Sequence, residues 1–175
     1  MDIAEALLIG RRPITDVVSS QKAGLYGIFA KRRDCLPGMT IPDTEIIYIG
    51  QTGESLGNRN HFLPKSSGFH SPRRSLGAIL KVELNLQAVP RAPGPSESNF
   101  TNFAFAGDGE HRLSNWMVRN LDYATVELEV DLHRVEKETI RVMQPPLNLT
   151  GWANPQKRHI MDLRNACKAE AKTTR

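Results

Sequence analysis

The chain has 175 residues, 39% of them hydrophobic and 24% charged, which excludes a disordered or fibrous polypeptide and suits one domain with a buried core. Lys and Arg total 23 against 19 Asp and Glu, a formal charge of +4 that permits a nucleic-acid partner without demonstrating one. The apolar run at residues 6–9 is too short and too acidic in its flanks for a signal peptide or membrane span, and the isolated Cys35 and Cys167 rule against a disulfide framework or a cysteine-based zinc site, so a cytoplasmic protein with no membrane partner is expected.

Asp2 can cap a short helix over residues 2–9. Residues 24–31 (GLYGIFAK) and 45–51 (EIIYIGQ) are β-branched and aromatic runs that read as two strands, joined by an elongated connection holding Pro37, Gly38 and Pro42. Residues 50–53 punctuate, and a helix can open at Glu54, carrying Arg59 and His61 one to two turns in. A better-marked helix has Pro72 in its first turn and Leu76, Ile79, Leu80 and Leu84 as its apolar stripe. Residues 87–99, with Pro90, Pro93 and Pro95, read as a flexible loop. Phe103 and Phe105 alternate as a short strand would, and Asp108 can cap a helix with Leu113, Trp116 and Met117 facing inward. Residues 124–130 alternate as a half-exposed strand; Asp131 then caps a helix that must end near Gln144, because Pro145 and Pro146 cannot continue it. Asn154 and Pro155 open a last helix with Ile160, Leu163 and Cys167 inward. The sum is a mixed α/β chain: a small sheet with helices packed on it.

The helix after Asp131 has an apolar face made of Leu132, Val135, Thr139, Ile140 and Met143, and Glu136 falls inside that stripe while Glu138 falls on the opposite face. A carboxylate in a core stripe loses hydration worth several kcal/mol unless it gains a partner. Two readings stay open: a boundary glutamate paired to an arginine, or a metal ligand or acid/base group at the edge of the core. His70, His111, His133 and His159 show no metal-ligand spacing, although His133 stands three residues before Glu136. The segment IGQTGESLGNR lacks the GK[ST] of a phosphate-cradling loop. Arg59, after this glycine-rich turn, is placed for a phosphate.

Gly24-Leu25-Tyr26, then Tyr48-Ile49-Gly50, then Arg59, Glu136 and Asn148, in that order, resemble the motifs of the GIY-YIG nuclease superfamily over roughly residues 24–149. The stretch EKETIRVMQPPLN has Ile140 four residues after Glu136, a proline after the helix and Asn148 twelve residues on, a spacing similar to that of the incision domain of bacterial nucleotide-excision-repair nuclease. The middle segments SLGNRNHF and SPRRSLGAIL look more like small stand-alone bacterial members. Leu25 stands for the usual Ile, Gln51 for a frequent Lys, and His61 follows Arg59 by two residues rather than by a turn.

The resemblance implies an α+β fold with a small antiparallel sheet of about three core strands flanked by helices. It implies one domain with its core at 24–149, an extension at 1–23 and an added basic C-terminal helix at 150–175. It also implies divalent-metal-dependent hydrolysis of a DNA phosphodiester. In that chemistry Glu136 would hold one hard cation, Mg²⁺ or Mn²⁺, and the planar fork of Arg59 would bind the scissile phosphate. Tyr26 or His61 would activate water, Tyr48 would support by hydrogen bonding, and Asn148 would brace the site. Tyrosine needs its ordinary pKa near ~10 lowered to act as a base, whereas histidine near ~6.5 does not. Arg73 and Arg74 are either a solvated helix start or further phosphate contacts. A non-catalytic DNA-binding protein on the same fold is the alternative, and a protein-interaction role is a third reading.

The charge distribution sharpens the total. Residues 57–91 carry six Lys or Arg against one acid, residues 122–138 carry six acids against two bases, and residues 154–175 carry six bases against two acids. The first block holds Arg59, Arg73 and Arg74, where a phosphate backbone would lie. The second holds Glu136, where a cation would.

Overall fold

A computed structural model describes residues 2–174. Asp2 accepts a hydrogen bond from the Ala4 amide at 3.1 Å and caps α1 (Ile3–Ile9), as its residue type predicts. The short strand β1 (Arg12–Pro13) follows, then β2 (Gly24–Ala30) and β3 (Ile46–Thr52). Every residue of β2 is buried. No regular helix forms after Glu54: only a single 3₁₀ turn, Gly57–Arg59, is made there. The Leu56 and Gly57 amides bond instead to the Lys22 and Ser20 carbonyls at 3.0 and 2.8 Å, so long-range pairing displaces the local helix.

Further along come α2 (Ser71–Ile79), β4 (Ala88–Val89), α3 (Glu97–Thr101), β5 (Ala104–Phe105) and α4 (Gly109–Asn120). The proline-rich region is therefore not all loop: β4 and α3 bracket it. The last elements are β6 (Leu121–Glu127), α5 (Leu132–Met143) and α6 (Lys157–Thr173). β6 begins three residues earlier than the alternation suggests, because its first half is largely buried on both faces and does not alternate in polarity. Asp131 caps α5 by accepting from the Arg134 amide at 3.2 Å.

The fold is α+β, with a four-stranded antiparallel sheet in the order β1-β6-β2-β3 and a two-stranded pair β4-β5. The short edge strand β1 is the addition to the three strands expected. The chain divides into two compact units, the first up to Asn60 plus Val118–Pro155 and the second His61–Met117 plus Gln156 onward. Neither is continuous in sequence, so no linker marks the division.

In the first unit, α1 and α5 cover one face of the large sheet. Leu7, Leu25, Phe29, Ile46, Ile49, Ala124, Ile140 and Met143 form the core there, with Val126, Leu132 and Val135 packed against it. Side chains of this size each contribute roughly 1.5–3 kcal/mol on burial. In the second unit, α6 packs on α2, α3 and β4 through Ile160, Cys167 and Ala171, all fully buried. Both cysteines are free and buried. Among the described residues no helix is long and apolar enough to cross a membrane.

Candidate active site

Residues directly opposite one another on paired strands share a face of the sheet. Tyr26 pairs with Gly50 on β3 and Thr125 on β6, while Ile28 pairs with Tyr48 and Tyr123. Tyr26, Tyr48 and Tyr123 thus lie on one face, opposite to the one covered by α1 and α5. Their rings touch: Tyr26 is 6.2 Å from Tyr48 and stacked at 5.6 Å on Tyr123, centroid to centroid. Tyr26 is 3% exposed and Tyr123 2% exposed, whereas Tyr48 is half-buried. The Tyr123 hydroxyl donates to the Arg59 carbonyl at 3.3 Å, fixing the turn that carries Arg59. Sequence reading missed Tyr123 because it stands just before the alternating stretch, and its register opposite Ile28 is visible only once the sheet is formed.

Tyr26 is the group on which the other charges act. Burial pushes its hydroxyl well above the ordinary tyrosine range, the neighbouring tyrosines and Glu136 push the same way, and only Arg59 opposes them. Tyr26 is therefore a neutral phenol, able to donate and accept a hydrogen bond but not to serve as a standing base. Arg59 is exposed, and among the described residues no hydrogen bond or ion pair engages its guanidinium. Burial raises the Tyr123 hydroxyl in the same direction as that of Tyr26.

Glu136 stands on α5, half-buried, with the buried Thr139, Ile140 and Met143 following it. Loss of hydration raises its carboxyl above the usual range, His133 opposing. Among the described residues no arginine pairs with it, so of the two readings open from the sequence the ion-paired boundary glutamate is not what forms there. The carboxylate opens on a cavity of about 240 Å³ lined by His133, Lys137, Ile140, Thr150 and Gly151. Gly151, at φ +94°, lets the returning chain pass close over Ile140.

Asn148 does not face this chemistry. Its carboxamide takes the Ile49 amide and gives to the Ile49 carbonyl, both at 2.8 Å, while the Leu147 amide donates to the Ile47 carbonyl at 2.9 Å. The two residues lie along the free edge of β3 as a second partner strand would, holding the strand that carries Tyr48 and Gly50.

Three other candidates belong to the second unit. Arg73 is fully buried, which corrects the phosphate contact its sequence position allows. Its guanidinium pairs with Glu110 at 2.7 Å and donates to the carbonyls of His61 and Leu63 and the hydroxyl of Ser114 at 2.8–2.9 Å. Glu110 also accepts from the Ser67 amide and hydroxyl and the Phe105 amide, so the ion pair is fully hydrogen-bonded. Arg74, 9% exposed, donates to the Ser67 and Gly68 carbonyls and is likewise turned inward. His61 is 3% exposed, with its Nδ1 2.9 Å from Nδ1 of His70, so one ring donates and the other accepts.

The first unit therefore holds Tyr26, Tyr48 and Tyr123 on one face of the sheet with Arg59 on the turn bonded to Tyr123, and Glu136 on α5 near enough to act on the Tyr26 phenol, with Asn148 along the edge of β3. Among the described residues no three His, Cys, Asp or Glu side chains stand together as a metal cage. A single desolvated carboxylate with no ion-pair partner among the described residues fits a hard cation that keeps most of its waters, and does not fit a closed zinc site.

No curated protein and no solved structure matches the chain. The family model for the GIY-YIG catalytic domain matches residues 24–169, which take in both tyrosine strands, Arg59, Glu136 and Asn148. With most of its length matched, the chain belongs to the GIY-YIG catalytic-domain family of nucleases.

Proposed function

We propose that the protein is a divalent-metal-dependent endonuclease that hydrolyses phosphodiester bonds in DNA. The observation that carries this reading is the Glu136 carboxylate on α5, half-buried beside a cavity of about 240 Å³ and, among the described residues, in no ion pair or hydrogen bond, in a chain that matches the GIY-YIG catalytic domain. A phosphodiester repels hydroxide, so its hydrolysis needs positive charge on the non-bridging oxygens, an oriented water and help for the departing oxyanion. Glu136 would hold one Mg²⁺ or Mn²⁺, which when bound supplies positive charge and acidifies water.

The other roles fall to side chains of the first unit. Arg59 grips the scissile phosphate through its planar fork. Tyr26, kept neutral by burial, orients the attacking water by hydrogen bonding, and Tyr48 and Tyr123 hold its ring. Asn148 keeps β3 in register. Two free, buried thiols suit a reducing compartment such as the cytoplasm.

Purified protein with Mg²⁺ or Mn²⁺ is expected to nick plasmid or cut linear or branched DNA, to stop on chelation, and to lose this activity in Glu136→Ala. Equal cutting by Glu136→Ala overturns the assignment. Gln51, where a lysine is frequent in the family, favours a second reading, a non-catalytic DNA-binding protein. That reading expects salt-sensitive, metal-independent retention on DNA with no nicking.

A further inference from the structure

The second unit carries a surface that the nuclease reading does not use. Phe69 leaves 66% of its surface in solvent, and the Arg91 guanidinium lies over its ring, 4.9 Å from the centroid. Arg91 is held from three other sides. Its amide donates to the Asn99 carbonyl at 2.9 Å, its guanidinium donates to the Ser98 hydroxyl at 3.3 Å, and its aliphatic stem crosses Gly68, where a β-carbon would stand 2.5 Å from Arg91 Cγ. The Asn99 carboxamide bonds the Pro93 carbonyl at 3.3 Å and so fixes the proline-rich loop beside it. That loop, with Arg91 and Phe100, lines an open cleft of about 590 Å³, a size that accommodates a small organic ligand.

The charge is as telling as the shape. Among the described residues no carboxylate pairs with Arg91. Glu97, the acid nearest to it in the chain, is taken by Lys168 at 2.8 Å and Lys172 at 2.9 Å. An immobilised cation stacked on an open aromatic ring thus stands beside a preformed cleft with its charge unspent. A proline-rich peptide would use the ring and leave the charge; an acidic peptide would use the charge and leave the ring. A nucleotide has both a flat π-face and a phosphate, and uses both.

We infer that Phe69 and Arg91 form a stacking platform for an unpaired DNA base, with the adjoining phosphate on Arg91. The inference takes DNA as the partner from the nuclease reading and adds the substrate class: DNA with a single-stranded, displaced or flipped nucleotide, because bases inside a duplex are stacked on one another and present no face.

The test is fluorescence anisotropy of the full chain, without metal so that nothing is cut, on a labelled oligothymidylate and on a strand of equal length carrying abasic sites. The wild type is expected to prefer the oligothymidylate by about tenfold, with Phe69→Ala abolishing the preference and Phe69→Trp keeping it. Arg91→Ala weakens binding to both strands. The inference is overturned if the wild type binds the two strands equally or if Phe69→Ala still discriminates, circular dichroism showing the variant folded. Nicking by the wild type without base discrimination overturns this inference alone; base discrimination without nicking overturns the nuclease reading alone.

Discussion

The phenol of Tyr26 lies flat against Gly50, its partner across the sheet: a β-carbon on Gly50 would fall within contact distance of the hydroxyl oxygen and 2.5 Å from ring carbon Cζ. The last glycine of the second tyrosine motif is thus the floor on which the first motif's tyrosine rests. Gly50→Ala must push the ring aside. Displacing a positioning group by about 1 Å costs on the order of 100-fold in rate, and overpacking costs roughly 1–3 kcal/mol. The expected outcome is a folded protein with a lowered Tm and about 100-fold less nicking. Unchanged nicking in Gly50→Ala would remove Tyr26 from the reaction.

Glu136 should trade stability for activity. Burial raises its carboxyl in the folded chain, so between the unfolded and folded values the folded chain binds more protons, and stability falls as pH rises through that window. Gln cannot ionise. Glu136→Gln should therefore be the more stable protein at pH 7, by about 2 °C in Tm after allowance for partial exposure, and the gain should vanish in acid below both values. The same substitution should abolish metal-dependent cutting. In the wild type the activating concentration of Mg²⁺ should rise as pH falls towards the raised value, since proton and cation compete for one carboxylate.

Asn148→Ala removes two buried hydrogen bonds and orphans both backbone groups of Ile49. A loss of about 2–4 kcal/mol in urea unfolding is expected, with faster amide exchange at Ile49 than elsewhere in β3. Asn148→Asp should recover less than half, since a carboxylate accepts from the Ile49 amide but repels its carbonyl. Exchange at Ile49 equal to the wild type would show that the carboxamide is not what holds the strand.

Arg73 should behave as a core residue. Arg73→Met leaves Glu110 buried without its cation and is expected to cost about 3–5 kcal/mol, while the double variant Arg73→Met with Glu110→Met recovers most of it. A phosphate contact would instead lower the salt dependence of DNA binding by about one counterion without changing stability. Urea unfolding beside a salt titration separates the two.

Much of the first unit was legible in the sequence for a physical reason: the residues that make the site also make the elements. The runs around Tyr26 and Tyr48 are strands because they are β-branched and aromatic. Glu136 stands out because an ionisable side chain interrupts an otherwise apolar stripe. The family resemblance implied Asn148 as a brace, though not the backbone of Ile49 as its partner. What stayed hidden depends on distant residues. Charge counting put Arg73 and Arg74 on a basic surface, yet Glu110, 37 positions away, draws Arg73 inside. The segment after Glu54 has local helical capacity, but the carbonyls of Ser20 and Lys22 claim its amides first. Periodicity reads one covered face at a time, and the first half of β6, buried on both, concealed Tyr123.

The bonds from Leu147 and Asn148 to β3 have a consequence beyond the site. β3 is the outermost strand on its side, and an unpaired strand edge is a template on which another chain can add itself. At the opposite edge β1 is two residues long and includes Pro13, which has no amide to offer. On the β3 side the task falls to the chain leaving α5, which occupies the Ile47 carbonyl and both backbone groups of Ile49 before a foreign strand can. Asn148 is thereby a guard against self-association, and its loss should be felt in concentrated solution as aggregation as well as in a nicking assay.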